Sequence, residues 1–219
     1  NNPSSLKYYW DFLYFINMEW VEAFESKVEV KLPESSKKAK DIIEKIKDNW
    51  KGTFLDGGKI IKEGLRTKKL FDLLTELGDK QGYKVYSHSL SDEFRSIPGN
   101  DKFVNREWMY DLCWYREDET FLYGLKSLDL AVESEWRNNR GGDKYGAIKY
   151  DFQKLLVANM GLCLMVFKVT EEGRKSLSTY FEQVYEIYEG HKSNILFVAF
   201  SQRGKTFYYS YLSPKGKDV

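Results

Sequence analysis

The first third of the chain has apolar residues at helical spacing. This period predicts a helix or a helix pair over 6–24, a second helix over 37–50 and a third over 68–80. Ser36 provides a capping residue for the second helix, and Gly82 marks the end of the third. The N-terminal part of the protein is therefore expected to be helical.

After residue 82 the hydrophobic period changes to two, which indicates strands. The predicted strands cover 83–88, 107–115, 128–136, 162–169, 195–200 and 207–212, and two helices cover 145–159 and 171–188. The unbroken apolar run 162–169 is typical of a strand buried on both faces. This order predicts an α/β protein with a mixed β-sheet core flanked by helices, in which a helical N-terminal part over 1–66 packs on a core over 67–219.

The composition excludes several classes of protein. The 219 residues include 34 basic and 33 acidic side chains, and a net charge of +1 excludes binding of nucleic acid through bulk positive charge. With 42% hydrophobic residues and only four prolines, the chain is not a disordered one. Its longest apolar run is too short to cross a bilayer and no signal peptide opens the sequence, so we expect a soluble cytoplasmic protein with no membrane partner.

Charge is unevenly distributed along this neutral chain. Residues 35–84 carry 13 basic and 8 acidic side chains (+5), residues 86–189 carry 13 and 18 (−5), and residues 190–219 carry 5 and 1 (+4). An acidic middle between basic segments would suit a carboxylate site inside a phosphate-binding rim. Ordinary variation in surface charge gives the same pattern, so its meaning depends on where the chemistry-bearing motifs fall.

Few residues suit redox or transition-metal chemistry. Cys113 and Cys163 lie inside apolar runs and are predicted to be small core residues in a reducing compartment. The two histidines, His88 and His191, are too few for a histidine-built metal site. The sequence contains neither GxGxxG nor GxxxxGK[ST], which argues against a doubly wound nucleotide-binding fold.

Carboxylates interrupt two of the apolar strands. Glu133 and Glu135 are two residues apart, so they point to the same face of their strand at a separation of roughly 6–7 Å. Asp111 is an isolated acid in the strand placed next to theirs, and Asp129 shares the face of the two glutamates by alternation. Acids on two apolar strands have the composition of a magnesium site. The alternative is that the glutamates face solvent on an edge strand and pair with a neighbouring basic residue.

Lys154 follows on the predicted helix 145–159, which packs on the same sheet. If the polar edge of that helix faces the carboxylates, Lys154 can stabilise a pentavalent phosphate or orient the attacking water. The alternative is a surface lysine that pairs with Asp151 and has no part in chemistry.

These residues resemble a known family of enzymes. Asp111 on one strand, Glu133-Ser134-Glu135 on the next, then a helix and a buried strand resemble the PD-(D/E)XK nuclease superfamily, the restriction-endonuclease-like fold, over residues 68–170. The family consensus is a strand acid followed by (Asp/Glu)-x-Lys; here the gap is 22 residues, and Glu135 stands where the lysine is expected. Some members of the fold carry Glu-x-Glu, and in others the lysine has moved to the following helix, which Lys154 would match.

The resemblance implies a metal-dependent endonuclease that hydrolyses phosphodiester bonds in DNA. Asp111 and Glu133 would bind Mg²⁺ or Mn²⁺, Glu135 would be a further ligand or the general base, and Lys154 would assist the water. The first core helix of the family often adds a glutamate, for which Glu76 is the candidate. Basic residues would contact phosphates: Lys37, Lys38, Lys40, Arg66, Lys68 and Lys69 in the N-terminal half, and Arg137, Arg140 and Lys144 in the loop after the acids.

Two other functions stay open. The fold can persist as a catalytically degraded module that binds nucleic acid or protein, which the departure at Glu135 and the neutral charge favour. Glu133 and Glu135 can also be interpreted as an acid–base pair for sugar hydrolysis, but that reaction places its carboxylates on opposite sides of the scissile bond. The sequence also leaves open whether the protein forms a homodimer.

Overall fold

A mixed sheet of eight strands forms the centre of the fold. The structure is a computed structural model and describes residues 18–24, 32, 36–95, 103–104, 108–121, 124–190, 192–201, 203 and 205–214. The strands are β1 (Val21–Glu22), β2 (Leu55–Asp56), β3 (Lys59–Ile60), β4 (Lys84–Ser87), β5 (Phe103–Val104), β6 (Leu112–Glu117), β7 (Leu125–Glu135), β8 (Leu162–Lys168), β9 (Asn194–Ser201) and β10 (Thr206–Leu212). The order across the sheet is β1-β10-β9-β8-β7-β6-β4-β5, and β2 and β3 form a separate hairpin.

Helices connect the parallel strands and cover the sheet. They are α1 (Lys37–Asp48), α2 (Trp50–Thr53), α3 (Glu63–Lys80), α4 (Asp92–Arg95), α5 (Gly146–Leu156) and α6 (Glu171–Ile187). β7, β8 and β9 are parallel and are joined through α5 and α6, whereas β6 and β10 run antiparallel to the strands beside them. No helix in the described ranges has the length and apolar character needed to cross a membrane.

The two faces of the sheet have separate hydrophobic cores. On one face, which we call the α3 face, α1 and α3 bury Ile42 and Leu70 against Leu130 of β7. On the other, the α5 face, α5 and α6 bury Phe152 and Phe181. Because side chains alternate along a strand, β7 contributes to both cores and positions its polar residues at the edge of each.

The sequence-predicted fold class is confirmed: the protein is α/β, with a large mixed sheet flanked by helices. The predicted elements after residue 145 are present as α5, β8, α6, β9 and β10, although α5 ends at Leu156 rather than at residue 159. β8 is buried along six of its seven residues, as its unbroken apolar sequence predicts.

The N-terminal part differs from the prediction. Val21–Glu22 forms a strand beside β10 instead of continuing a helix, because the edge of β10 offers backbone partners that override a local helical period. The earlier part of that predicted helix, up to residue 17, lies outside the described residues. Helix α3 begins at Glu63 rather than at residue 68, so the predicted boundary between residues 66 and 67 falls inside it. Residues of α1 and α3 belong to the core of the α3 face.

The strand that was predicted to contain Asp111 is shorter than expected. β6 begins at Leu112, so Asp111 lies immediately before the strand rather than within it. The predicted start at residue 107 lies outside the described residues. Asp111 nevertheless stays at the sheet, because its carbonyl oxygen accepts a hydrogen bond from the backbone N–H of His88 at 3.2 Å.

A bulge in β7 overturns the predicted position of Asp129. Leu128 and Leu130 pair with consecutive residues of β6, so Asp129 is an extra residue between them. The alternation breaks at this point, and the Asp129 carboxylate lies 3.3 Å from Lys38 of α1. Asp129 therefore does not share the face of Glu133.

Both cysteines are core residues, as predicted. Cys113 and Cys163 are buried and have free thiols. Burial raises the pKa of each thiol to about 12, so both remain protonated at neutral pH. They have no role in the chemistry discussed below.

Candidate active site

A polar pocket of about 360 Å³ opens where β6 begins and β7 ends. Its lining residues are Glu63, Thr67, His88, Asp111, Glu133, Ser134, Glu135, Trp136, Arg137, Arg140, Asp151 and Lys154. The fold thus brings together the four residues to which the sequence assigned chemistry, Asp111, Glu133, Glu135 and Lys154. We call this the carboxylate pocket.

Glu133 is the most buried acid of the carboxylate pocket, with a side chain only 1% exposed. In the pairing of β6 with β7, Leu112 lies opposite Val132, and one further step sets Asp111 opposite Glu133. Burial, together with the negative charge of Asp111, raises the pKa of Glu133 to about 9. A buried carboxylate facing a second one is unfavourable unless a cation compensates it.

Lys154 supplies one cation from α5. Its Nζ lies 2.6 Å from Glu133 Oε1 and 3.8 Å from Asp151 Oδ1. Residues three apart share a helix face, so α5 presents both Asp151 and Lys154 to the pocket while Phe152 and Leu155 are buried in the core. Burial by itself lowers the pKa of Lys154, but the hydrogen bond and charge of Glu133 outweigh it and the pKa is raised.

Asp151 adds a fourth acid to the cluster. Burial raises its pKa to about 6; Lys154 opposes this rise, while Asp111 and Glu135 add to it. The carboxyl groups of Asp111, Glu133, Glu135 and Asp151 therefore share one pocket and interact electrostatically. Such a concentration of negative charge attracts cations.

Asp111 is held in place by the backbone and by a histidine. Its Oδ2 accepts a hydrogen bond from the backbone N–H of Ser134 at 2.8 Å, and its Oδ1 lies 3.1 Å from His88 Nε2. The other ring nitrogen of His88 lies 2.8 Å from Ser89 Oγ, and the ring packs edge-on against Phe71. Each carboxylate oxygen can accept a second bond, so Asp111 is oriented and can still bind a ligand.

Glu135 turns toward the loop after β7. Its Oε1 accepts a hydrogen bond from the backbone N–H of Arg137 at 2.7 Å and lies 3.5 Å from Arg137 Nε. The Arg137 side chain is 84% exposed, whereas that of Glu135 is 12% exposed. The alternative in which both glutamates face solvent is therefore wrong, since Glu133 is buried and Glu135 nearly so. Pairing with a neighbouring basic residue does occur at Glu135.

Arg140 reaches the mouth of the pocket from a tight turn. Arg140 and Asp143 exchange two backbone hydrogen bonds of 3.1 Å, and Gly141 and Gly142 have φ values of 60° and 83°. Two consecutive positive φ angles require residues such as glycine. The guanidinium lies 3.5 Å from the ring centroid of Tyr150, which fixes its direction. Arginine side chains thus lie at the mouth and acids lie inside.

Helix α3 contributes Glu63 to the pocket rather than Glu76. Glu76 Oε2 lies 2.7 Å from Lys45 Nζ of α1, and it is separated from Glu63 by about 20 Å along the helix. Glu63 lines the pocket from the first turn of α3, and its Oε1 lies 2.6 Å from Lys168 Nζ. The structure therefore keeps Glu76 apart from the other predicted acids, because only the first turns of α3 reach the pocket.

The predicted phosphate-binding residues do not form one surface. Arg137 and Arg140 line the carboxylate pocket, but Lys144 does not and instead lies over the ring of its neighbour Tyr145. Lys68 and Lys69 lie on α3, with Lys69 on the wall of a different groove. Of the five residues Arg137, Arg140, Lys144, Lys68 and Lys69, therefore, only the two arginines of the loop after β7 line the pocket with the acids.

Arg66 cannot contact phosphate as predicted. Its side chain is fully buried, and its guanidinium carbon lies 4.4 Å from the ring centroid of Trp136 and 4.9 Å from that of Phe200. Burial lowers its pKa from the usual value. Arg66 is part of the aromatic core, and its nearest carboxylate is Glu63 at 3.6 Å.

Sequence reasoning assigned no chemical role to Glu63, His88 and Asp151. The spacing of three residues between Asp151 and Lys154 on a helix is a signal that could have placed Asp151 in the pocket. Acidic residues are common in the first turn of helices, which would have drawn attention to Glu63 had the start of α3 been placed correctly. His88 has no local signal, because its position beside Asp111 depends on the pairing of β4 with β6.

The donor set fits a hard divalent cation with few protein ligands. Within the part of the chain that the structure describes, no three His, Cys, Asp or Glu side chains form a ready metal site. Mg²⁺ sites commonly use only one or two carboxylates together with water and substrate phosphates. Asp111 and Glu133 supply that number, and the pKa of Glu133 is raised first by burial and then by the charge of Asp111, both of which a bound cation would offset.

Comparison with known proteins gives no assignment. The chain matches no family model, no curated protein and no solved structure. The carboxylate pocket is therefore the basis on which a function can be proposed.

Proposed function

We propose that this protein is a metal-dependent nuclease that hydrolyses phosphodiester bonds in DNA. The observation that carries the proposal is the position of Glu133, which is buried opposite Asp111 with Lys154 Nζ at 2.6 Å. In support, β6, β7, α5 and β8 follow one another in the order on which the resemblance to the restriction-endonuclease-like fold rests, with Asp111 directly before β6 and Glu133 in β7.

Each side chain of the pocket has a role that follows from its place. Asp111 and Glu133 would hold Mg²⁺ or Mn²⁺, which when bound polarises the phosphate and makes water more acidic. Lys154 keeps a charged donor beside Glu133, where it can donate to a phosphate oxygen and stabilise the charge of a pentavalent phosphate. Glu135 and Asp151 are the carboxylates placed to accept a proton, and the pKa of about 6 at Asp151 suits proton transfer near neutral pH.

The arginines at the mouth would bind the phosphates beside the scissile one. Arg137 is largely exposed, and Arg140 is directed by its contact with Tyr150. Guanidinium groups form two parallel hydrogen bonds with phosphate oxygens, which orients the backbone without reading its sequence. The pocket therefore combines an acidic interior with a basic entrance.

A cleavage assay tests the proposal. Supercoiled plasmid and single-stranded DNA are incubated with Mg²⁺, Mn²⁺ or a chelator, and the protein is compared with Asp111→Asn, Glu133→Gln and Lys154→Met. We expect metal-dependent cutting that falls at least ~100-fold in each variant, because each removes a group acting on the reacting phosphate or water. Glu76→Gln is the matched control and should cut like the unmodified protein. Cutting that survives the chelator, or that all three substitutions leave unchanged, would overturn the proposal.

A second candidate is a non-catalytic module that binds nucleic acid or protein. Two contacts favour it: Glu133 is engaged by Lys154, and Glu135 is engaged by the loop residue Arg137. In this case Lys154 and Arg137 would balance the negative charges of Glu133 and Glu135, and no metal ion would be required. Binding of DNA without cutting, together with no binding of Mn²⁺, would identify this second function.

A further inference from the structure

A second groove lies on the other side of α3 from the carboxylate pocket. It has a volume of about 730 Å³ and is formed by α2, the β2–β3 hairpin and α3. Lys51 and Lys69 line it. Three glycines, Gly52, Gly57 and Gly58, also line it, and a Cβ at any of them would have no other atom within 4 Å. We call this the lysine groove.

The first two turns of α3 separate the two sites. Glu63 and Thr67 line the carboxylate pocket, whereas Leu65 and Lys69 line the lysine groove. Successive helical residues are about 100° apart, so these two pairs lie on opposite sides of the helix. Gly64 is exposed between them. A helix with its side chains is about 10–12 Å wide, so the carboxylate pocket and the lysine groove are separated by about that distance.

Positive charge surrounds the lysine groove. Lys59 and Lys62 are exposed on the hairpin and on its connection to α3, and Lys205 Nζ donates to a carbonyl oxygen of the hairpin at 2.7 Å. The lining contains a single acid, Asp56. Among the described residues, neither lysine of the groove wall forms an ion pair, so both charges can bind an anionic ligand.

We propose that the lysine groove binds the sugar-phosphate backbone of a nucleic-acid strand whose scissile phosphate lies in the carboxylate pocket; this rests on the proposed function. The strand would cross α3 at Gly64, where a Cβ would have open space, and Lys68 lies one turn further along the same side. At 3.4 Å per nucleotide, a separation of about 10–12 Å corresponds to about three nucleotides. The substrate is therefore a polynucleotide rather than a mononucleotide or a small phosphate ester.

The salt dependence of binding tests the groove directly. A fluorescein-labelled oligonucleotide of about 20 nucleotides is titrated in chelator, as a single strand and as a duplex, over a series of salt concentrations. In Lys51→Gln/Lys69→Gln we expect the slope of log K against log salt to fall by about 1.8 on duplex or about 1.4 on single strand, because two phosphate contacts are lost. Lys126→Gln/Lys175→Gln removes two lysines elsewhere and should leave the slope unchanged.

A second pair of variants separates charge from folding. Gly52 has open space around it, so both Gly52→Glu and Gly52→Gln can be accommodated without a clash. We expect Gly52→Glu to weaken binding at least ~5-fold more than Gly52→Gln, because only the former places a negative charge beside the phosphates. Equal affinity of these two variants would overturn the inference.

The binding and cleavage results distinguish the two proposals. If the slope falls in the groove variant but the protein cuts no DNA, the lysine groove binds a nucleic-acid backbone and the proposed nuclease function fails. If DNA is cut but the slope is the same in the groove variant and the unmodified protein, the groove is wrong and the nuclease function stands. Absence of salt-dependent binding by the unmodified protein also overturns the groove.

Discussion

Glu133 and Asp129 are acids of one strand, β7, whose surroundings shift their pKa values in opposite directions. Asp129 accepts hydrogen bonds from Ser127 and Lys38, which outweigh its burial and lower its pKa. Glu133 is more deeply buried and faces Asp111, so its pKa is raised although Lys154 is adjacent. An acid whose charge is stabilised within the fold is a structural residue, whereas one whose charge is incompletely compensated is a candidate for ligand binding.

The pKa of Glu133 predicts how stability changes with pH in metal-free protein. Its pKa is about 9 when folded against an ordinary value of 4.5, so the folded state holds more protons between these limits and its stability falls as pH rises through them. Glu133→Gln removes this effect, so its free energy of unfolding should decline less steeply, by up to about 1.4 kcal/mol per pH unit. Urea unfolding at about pH 5, 7 and 8.5 in chelator measures the difference. Parallel curves for the two proteins would contradict the assignment.

At the scale of elements, α3 is positioned on the sheet by a close contact at Gly78. A Cβ at this residue would lie 2.7 Å from Trp114 Nε1, and the same indole nitrogen donates to the carbonyl oxygen of Leu74 at 3.1 Å. Trp114 also stacks on Tyr83 at a centroid distance of 5.4 Å. The absence of a side chain at residue 78 therefore lets this end of α3 approach β6 closely.

Two glycine substitutions in the same helix should have opposite effects. Gly78→Ala forces the buried indole of Trp114 to move and should lower the free energy of unfolding by about 1–3 kcal/mol. Gly64→Ala meets open space and should raise it by up to about 1 kcal/mol through helix propensity. Chemical denaturation of both variants checks this contrast. Equal changes in the same direction would show that α3 does not pack on β6 as described.

The sequence predicted elements well where the local pattern and the final environment agree. The apolar run of β8 and the periodicity of α5 and α6 are continuous, and all three elements are present. Val21–Glu22 was predicted to be helical and is a strand, because its pairing with β10 depends on residues nearly two hundred positions away. The bulge at Asp129 likewise follows from the register of β6 and β7, which no local pattern specifies.

The residues of the candidate site, like the elements, could be predicted only where the local sequence carries a signal. Asp111, Glu133 and Lys154 stand out because they interrupt apolar strands or lie on the polar edge of a helix. Glu63 and His88 join them through the tertiary arrangement of α3 and β4, for which their own neighbours in the sequence carry no signal. The sequence pattern could thus identify Asp111, Glu133 and Lys154. It could not identify Glu63 and His88.

At the scale of the whole molecule, the uneven charge of a neutral chain has a structural meaning. The segment 86–189, with a net charge of −5, contains four of the five acids that line the carboxylate pocket, Asp111, Glu133, Glu135 and Asp151. The segment 35–84, with a net charge of +5, contains the lysine groove. α3 lies between these two surfaces, so opposite charges are adjacent in space. A polyanion that also requires a divalent cation is the kind of ligand that suits this arrangement.

Binding of Mn²⁺ to the protein alone tests most directly whether the pair Asp111 and Glu133 holds a divalent cation. Isothermal titration calorimetry compares the unmodified protein with Asp111→Asn, Glu133→Gln and the control Glu76→Gln at one pH. We predict saturable binding to the unmodified protein and to the control, and affinity at least ~10–100-fold weaker in the other two variants. Absence of binding to the unmodified protein, or equal affinity in all four, would contradict a metal site at these carboxylates.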